Sequence, residues 1–206
     1  MPMADVQATR SALLGLADER TLMKQGYAFL DEKRMLLATD MLSRLKAHET
    51  LAADFEKRFM DAREALKKGV ARHGLDGLEV YPAPDTVSFA PETSAGQFLG
   101  VRLLDGAAPQ LQEPAGAPRP PVDPSPEAAD TAAAFAALLP LLFAIAVEVG
   151  NLERLAREYK RTERRARSLE NVLLPEVEET MRMIEGHLES ADQEDAIRTR
   201  FIGSPE

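Results

Sequence analysis

Residues 162–175 read TERRARSLENVLLP, a charged helical pattern that runs into a proline. The stretch lies inside the second of two long amphipathic patterns, one at each end of the chain. A proline inside a helix removes a hydrogen-bond donor and costs about 3 kcal/mol or more. We therefore expect Pro175 to bend the helix. Two long helical patterns with a bend are more typical of a protein with a mechanical role than of an enzyme.

The C-terminal pattern extends in both directions from this stretch. Ser125-Pro126-Glu127 suits a helix N-terminus. From there on, apolar or small residues recur every three or four positions. These predicted seam residues are Ile145, Val149, Leu152, Ala156, Tyr159, Thr162, Ala166, Leu169, Leu173, Val177, Met181, Ile184, Leu188 and Ala191.

The N-terminal pattern is a second heptad seam without proline, between Leu13 and Val70. Arg20, Arg34 and His48 are its polar members, and a cluster of glycines from Gly69 to Gly77 predicts its end. Neither seam is stable in isolation, so we expect the two helices to fold back antiparallel. The apolar seam residues are Leu13, Leu16, Met23, Tyr27, Leu30, Leu37, Met41, Leu45, Ala52, Phe55, Phe59, Ala62 and Leu66.

The middle of the chain has a different composition. Short alternating stretches at 78–81, 86–89 and 98–103 predict a small β-hairpin. Residues 105–130 carry seven prolines and many alanines, which predicts a flexible loop. The predicted fold is mainly α: an antiparallel two-helix coiled coil formed by residues 1–72 and 131–206, with the hairpin and the Pro-rich loop within 73–130.

Composition excludes several functional classes. The 206 residues contain no cysteine, which rules out disulfides and thiolate chemistry. Aromatic residues make up only 5% and charged residues 29%, which favours an elongated helical protein. The net charge of −9 argues against nucleic acid as the main partner, because phosphate binding needs clustered positive charge.

Two stretches bear on membrane insertion and export. Residues 132–147 are almost entirely apolar, but they fall short of the roughly 20 residues needed to span a bilayer and contain Pro140. Residues 1–10 have no apolar core of the kind found in a signal peptide. We expect a buried helix start at 132–147 and no insertion into the membrane.

No motif for catalysis or metal binding is present. Gly96 to Gly100 lacks the lysine of a phosphate-binding loop, and the three histidines are not spaced as metal ligands. A stand-alone enzyme would also need a pocket, and a two-helix rod offers little concavity for one. We expect no cofactor, no metal and no catalytic residue.

The basic run at 160–167 has three possible explanations. Its arginines could form a solvated face paired with Glu158, Glu163 and Glu170, since exposed ion pairs are common and weak. They could instead dock on an acidic partner. Nucleic acid is the third alternative, although only Tyr159 supplies a neighbouring aromatic ring.

Residues 161–170, followed by Leu174-Pro175 and Glu178-Glu179-Thr180, resemble the C-terminal helix of the D subunit of V-type and A-type ATPases and ATP synthases. The N-terminal residues also resemble that family, through Thr9-Arg10, Gly26 and Lys33-Arg34 with the leucines between them. In the middle, Phe98-Leu99-Gly100-Val101 is similar to a short strand of the family. Ala166 and Arg167 depart from the usual Val and Asn, and Arg20 stands where an apolar residue is usual.

The resemblance implies a non-catalytic central rotor shaft, cytoplasmic and peripheral to the membrane. Its implied partners are the catalytic head subunits A and B, the small F subunit of the central stalk and the subunit that seats the shaft on the membrane ring. The implied task is to couple ATP synthesis or hydrolysis to rotation and to proton or sodium transport. Candidate partner contacts are Thr9, Arg10, Gly26, Lys33, Arg34, Arg161, Arg164, Arg165 and Glu170, with Pro175 as a structural kink. The alternative is a coiled-coil adaptor of another assembly.

Overall fold

The computed structural model describes residues 8–79, 81, 93–106 and 123–202. The predicted class is confirmed, with long helices at both ends and a small antiparallel hairpin between them. The predicted strand at 86–89 and most of the Pro-rich loop lie outside the described residues. In chain order the elements are α1 (Arg10–Glu79), β1 (Thr93–Phe98), β2 (Val101–Gly106), α2 (Pro126–Ala136), α3 (Leu139–Ser168), a π-helical segment (Leu169–Leu173) and α4 (Leu174–Ile202).

The chain divides into two compact units. The first comprises Met1–Leu36 and Tyr159–Glu206, and the second comprises Leu37–Glu158. In the first unit, the core is formed by Leu16 together with Val177, Met181 and Ile184, all of them predicted seam residues. This is the burial expected when two amphipathic helices turn their apolar stripes toward each other.

Contacts within the first unit run antiparallel. Arg10 forms a salt bridge with Asp192, and Lys24 forms one with Glu178. Further along α1, Gly26 faces Leu169. As α1 advances, its partner position moves back along the chain, which is the order predicted from the two seams.

The second unit also has antiparallel helices, but its buried residues differ from the predicted seam. Arg44 of α1 bonds Glu148 of α3, and Arg72 bonds Glu127 of α2. Here α1 packs against two shorter helices rather than one continuous partner, so the heptad stripe is only partly covered. The predicted seam residues Leu45, Phe59 and Leu66 remain 43%, 37% and 37% exposed, whereas Leu155 and Asn151, outside the predicted seam, are fully buried.

The end of α1 lies close to its predicted position, but the strand expected at 78–81 is wrong. Gly74 adopts a φ of 70°, a left-handed conformation that glycine tolerates and that interrupts the helix. Helical backbone then resumes through Leu78 to Glu79, and the amide of Tyr81 donates to the carbonyl of Leu78. The local turn therefore overrides the alternation of apolar and polar residues.

The predicted hairpin is present, but its strands lie on either side of a turn within the strand predicted at 98–103. Phe98 pairs with Val101, and the two-residue turn is Leu99-Gly100, with φ values of 48° and 84°. Two positive φ angles define a type I′ turn, whose twist matches that of the flanking strands. Leucine is an unusual residue at such a position, so the sequence carries no standard turn signal here.

Buried polar side chains attach the hairpin and α2 to the rest of the second unit. The amide group of Asn151 donates to the carbonyl of Leu104 at 2.7 Å and accepts from its N–H at 2.8 Å. Ser125 caps α2, because its hydroxyl accepts from the N–H of Ala128 at 3.2 Å, as the Ser-Pro-Glu sequence predicts. These bonds satisfy backbone groups that would otherwise be buried without partners.

Candidate partner-binding surface

The basic run lies on the exposed side of α3, opposite the buried Thr162 and Ala166. Arg167 pairs with Glu163 at 2.7 Å, as the ion-pair explanation predicts. Within the part of the chain that the structure describes, Arg161, Arg164 and Arg165 have no hydrogen-bond or ion-pair partner. Three adjacent guanidinium groups are therefore available to another molecule.

The N-terminal candidates Thr9 and Arg10 both make contacts within the first unit. The hydroxyl of Thr9 accepts from the N–H of Ala12 at 3.1 Å, so Thr9 is the N-cap of α1. Arg10 contacts both carboxylate oxygens of Asp192, at 3.0 and 3.2 Å. This pair is well exposed and is worth little stability. Both residues therefore already have a structural role in the first unit.

Gly26 and Glu170 lie where α1 meets the π-helical segment. A Cβ atom at Gly26 would lie 3.9 Å from the Leu169 side chain, an ordinary van der Waals distance. The negative charge of Glu170, desolvation and the hydrogen bond to Glu170 raise the pKa of the Tyr27 hydroxyl above its ordinary value. Gly26 and Glu170 thus belong to a contact between helices.

Lys33 and Arg34 are half-buried on α1. Arg34 bonds Asp31 one turn earlier on the same helix, and it also lowers the pKa of Tyr27 slightly against the dominant effect of Glu170. Pro175 is exposed in the first turn of α4, directly after the π-helical segment. Of the charged candidates, Arg161, Arg164 and Arg165 are exposed and have no partner among the residues that the structure describes.

A second apolar stripe on α1 was missed by the sequence analysis. Leu14, Leu22, Phe29 and Leu36 are 69%, 69%, 66% and 46% exposed. Their spacing of eight, seven and seven residues keeps them on one face of the helix, roughly opposite Leu16. Exposed apolar stripes of this length mark protein-binding surfaces. The same spacing is present in the sequence. The heptad seam on the other side of α1 is a longer and stronger pattern.

A Ser–His–Asp set comes together in the second unit but serves as a clamp. The Nε2 atom of His73 lies 2.6 Å from the Ser125 hydroxyl, and its Nδ1 atom lies 3.7 Å from Asp123. The Ser125 hydroxyl is already the cap of α2, and Tyr81 bonds the carbonyl of Asp123. The cluster therefore joins the end of α1 to the start of α2, and its serine is not free to act as a nucleophile.

Comparison with known proteins decides the family. The family model for the ATP synthase D subunit matches residues 12–204. The chain belongs to the ATP synthase D-subunit family. The V-type ATP synthase D subunit of Thermotoga neapolitana is 27% identical over 96% of each chain. The A-type ATP synthase D subunit of Pyrococcus furiosus is 26% identical over 96% of this chain and 92% of its own length, and the V-type D subunit of Anaeromyxobacter dehalogenans is 29% identical over 96% and 95%.

Membership of the D-subunit family assigns the chain to the stalk of a rotary V/A-type ATP synthase. The recognition made from the two helical ends and the hairpin is confirmed. The complex that contains this subunit is peripherally associated with a membrane. The unpaired arginines and the apolar stripe are thus surface features of a stalk subunit, where contact with neighbouring subunits is required.

One described helical stretch, Pro126–Phe201, contains a window that is long and apolar enough to cross a membrane by length and composition. Most of that window is not buried within the protein, and of residues 132–147 only Leu138 is buried, so the expectation of a buried helix start there is wrong. A single stretch of this kind is weak evidence for a span, because helices of soluble proteins meet the same criteria. The helix is also interrupted at Ala137 and Leu138, between α2 and α3.

Proposed function

We propose that this stalk subunit is the central rotor shaft of its complex. It couples ATP synthesis or hydrolysis in a head of subunits A and B to rotation of a membrane ring, and thereby to proton or sodium transport. The observation that carries the proposal is the set of unpaired arginines in the first unit, Arg161, Arg164 and Arg165. The exposed apolar stripe on α1 of the same unit supports it.

The chemistry of the arginines favours contact with an acidic protein surface. A guanidinium group presents several donors in a plane and is less strongly hydrated than an ammonium group, so it suits carboxylates at interfaces. Complementary charge sets the orientation and rate of encounter more than the affinity. A shaft that meets several similar head subunits in turn needs contacts that orient it without holding it permanently.

We infer that the subunit is non-catalytic and binds no cofactor, and that ATP chemistry takes place in the head. Among residues 8–79, 81, 93–106 and 123–202, no group of three or more His, Asp or Glu side chains is placed to hold a metal ion. The engaged hydroxyl of Ser125 further supports this inference, because it leaves the Ser–His–Asp set without a free nucleophile.

The proposed partners are head subunits A and B, the F subunit of the stalk and the subunit that seats the shaft on the ring. The shaft would be cytoplasmic, without nucleic acid and without direct insertion into the membrane. The acidic net charge of −9 supports the exclusion of nucleic acid. The apolar stretch at 132–147 supports the exclusion of a span, because its 16 residues fall short of the roughly 20 that a spanning helix needs.

The test is reconstitution with subunits A and B. We expect a stable complex whose multi-turnover ATP hydrolysis depends on this chain. Reversing charge at all three sites (Arg161→Glu, Arg164→Glu, Arg165→Glu) should reduce coupled hydrolysis at least about tenfold, because it replaces attraction with repulsion.

The matched control reverses three exposed arginines that are already paired within their own helices: Arg157, Arg182 and Arg198. This variant has the same change in net charge and should retain most of the activity. Equal loss in both variants would make the effect one of overall charge. If the chain binds neither head subunit, the adaptor function would be favoured instead.

A further inference from the structure

The hairpin of the second unit is a two-stranded sheet, so each of its strands has one neighbour and one outer edge. The two-residue turn makes Phe98 and Val101 a hydrogen-bonded pair, and bonded and non-bonded pairs then alternate along the ladder. The next pair, Gln97 with Arg102, is therefore non-bonded. Residues of the non-bonded pairs direct their N–H and carbonyl groups away from the other strand, toward the two outer edges.

The outer edge of β2 is occupied by a side chain of α3. Leu104 pairs with Ala95 and belongs to the non-bonded set, so its backbone groups point outward. The fully buried amide of Asn151 bonds both of them, at 2.8 Å to the N–H and 2.7 Å to the carbonyl. Phe143 lies so close to Gly106 that a Cβ atom there would be 2.6 Å from its ring. α3 thus closes this edge to a further strand.

The outer edge of β1 is open. Thr93, Ala95 and Gln97 are the non-bonded residues of β1, so their N–H and carbonyl groups point outward. Residues 93–97 are all exposed, and no strand among the described residues pairs on this side. An exposed row of backbone donors and acceptors is a template for pairing with another extended chain.

β1 lacks the features that usually protect an edge strand. Such strands are commonly blunted by proline, by charged side chains or by a bulge. Residues 93–98 read TSAGQF, without proline or charge, and their register with β2 is continuous over all six pairs. Four of the six side chains are those of threonine, serine, alanine and glycine, so they leave the backbone easy to approach. The outer edge of β1 is therefore accessible to another chain along its whole length.

We propose that the outer edge of β1 receives an extended segment of another subunit of the complex, which adds a third strand to the hairpin. An extended chain presents its backbone groups at the spacing found along β1, and strand addition of this kind is a common mode of peptide recognition. The interaction requires that the chain belongs to a multi-subunit ATP synthase, and not that it rotates as a shaft. A second copy of this chain is disfavoured as the occupant, because each copy has a net charge of −9.

Arg102 indicates the charge of the added segment. It lies on the hairpin face that carries Ala95 and Gln97, opposite the face of buried Val101 and Leu103. Arg102 is exposed, it has no ion-pair partner among the described residues, and the other hairpin residues on its face are uncharged. An added strand would lie about 10 Å from β2, two strand spacings, which an arginine and a glutamate side chain together can cover. We therefore expect a carboxylate on the same face of the added segment.

Hydrogen exchange tests the open edge in the isolated full chain and in the complex purified with it. In the isolated chain, the amides of Ala95 and Gln97 should exchange at least about tenfold faster than the ladder amides of Gly96 and Phe98. In the complex, all four amides should be protected. Fast exchange of Ala95 and Gln97 in the complex would overturn the proposal.

The isolated chain also distinguishes the other possible occupants. If Ala95 and Gln97 are already protected in the monomer, the chain covers its own edge. If their protection rises with chain concentration, a second copy covers it. Either result would overturn the proposal. The readout is exchange at β1 and not hydrolysis, so a chain that fails to support hydrolysis with subunits A and B can still show a protected edge in its complex.

A proline substitution tests whether backbone bonds carry the interaction. Ala95→Pro removes an outward N–H without breaking a bond of the ladder, and proline is tolerated where an edge strand faces solvent. In the complex it should abolish the added protection at Gln97. Ala95→Val keeps the N–H and is the matched control, which should retain the protection. Equal behaviour of the two variants would overturn backbone pairing. If Ala95→Pro loosens the hairpin, seen as lost protection at Gly96 in the isolated chain, Thr93→Pro replaces it.

Charge reversal tests the expected carboxylate. Arg102→Glu should reduce the protection of Ala95 and Gln97 in the complex at least about tenfold, because it replaces attraction with repulsion. Asp105→Arg reverses an exposed charge on the other face of β2 and is the matched control, which should leave the protection unchanged. Full protection in Arg102→Glu would show that the added segment carries no carboxylate at this position and would overturn that part of the proposal.

Discussion

Different kinds of contact stabilise the interior of each of the two units of this stalk protein. In the first, Leu16, Val177, Met181 and Ile184 form an apolar core, and the salt bridges between the helices are exposed. In the second, buried polar groups make specific bonds, above all Asn151 with Leu104. Apolar stripes are non-directional and accept several phases, whereas buried hydrogen bonds specify one geometry.

This difference has a functional consequence. The first unit contains the unpaired arginines, the exposed apolar stripe and the π turn, which are features of a surface that meets partners. The second unit contains a hairpin fixed to a helix and a capped helix start, which are features of a rigid support. Each of the following changes tests whether the stability of a unit depends on the kind of contact assigned to it.

Replacing Asn151 should have the largest effect. Asn151→Leu keeps a similar volume but leaves the N–H and carbonyl of Leu104 without partners, at a cost of about 3 kcal/mol. Urea unfolding should show this loss, and hydrogen exchange at the Leu104 amide should rise sharply. Asn171→Leu, at an exposed asparagine, should change stability by less than about 0.5 kcal/mol. Equal effects of the two substitutions would contradict the specific role of the buried amide.

Truncation of the apolar core should cost somewhat less. Val177→Ala removes two methyl groups from a fully buried site and should destabilise the first unit by about 2 kcal/mol. Exchange rates should rise in α4 but not in the hairpin. Val172→Ala, at a half-exposed valine of the π-helical segment, is the matched control and should be nearly neutral. Faster exchange in the hairpin of Val177→Ala would argue against independent units.

Replacing a polar seam residue should stabilise the chain. Arg20 lies on the predicted seam, and its Nε atom is buried without a hydrogen-bond partner. Arg20→Leu removes that unpaired group and should raise the free energy of unfolding by about 1 kcal/mol. Thermal unfolding measures the change. A loss of stability would show that the guanidinium group contributes more than its unpaired atom costs.

Alkaline pH should produce the smallest and most local effect. Because Glu170 raises the pKa of Tyr27 above 10.0, the protonated hydroxyl is favoured in the folded chain. Its contribution to stability is complete below about pH 10 and is lost as the pH rises through the higher folded value. Absorbance titration should show a tyrosine that ionises above the ordinary tyrosine pKa. Tyr27→Phe should remove that late step, and if it does not, the shift belongs to another residue.

Much of the fold could be predicted because helical periodicity is a local property. The spacing around Ala166 and Val177 predicted a buried stripe, and Ser125-Pro126-Glu127 predicted the start of α2. The glycine cluster predicted that α1 ends nearby, and Gly74 interrupts the helix five residues before its end at Glu79. The order of family-like residues at both ends and in the hairpin was enough to recognise the D-subunit family.

The tertiary structure decided the features that depend on what packs opposite a residue. The burial of Asn151 follows from a hairpin lying against α3, whereas Leu45 is 43% exposed although it lies on the predicted seam. The turn at Leu99-Gly100 has no sequence signal, because a leucine rarely takes a positive φ. Whether Arg164 and Arg165 were paired depended on side-chain positions that periodicity does not specify. Sequence by itself determined the helices and the family, whereas only packing determined which polar groups are bound and which are free.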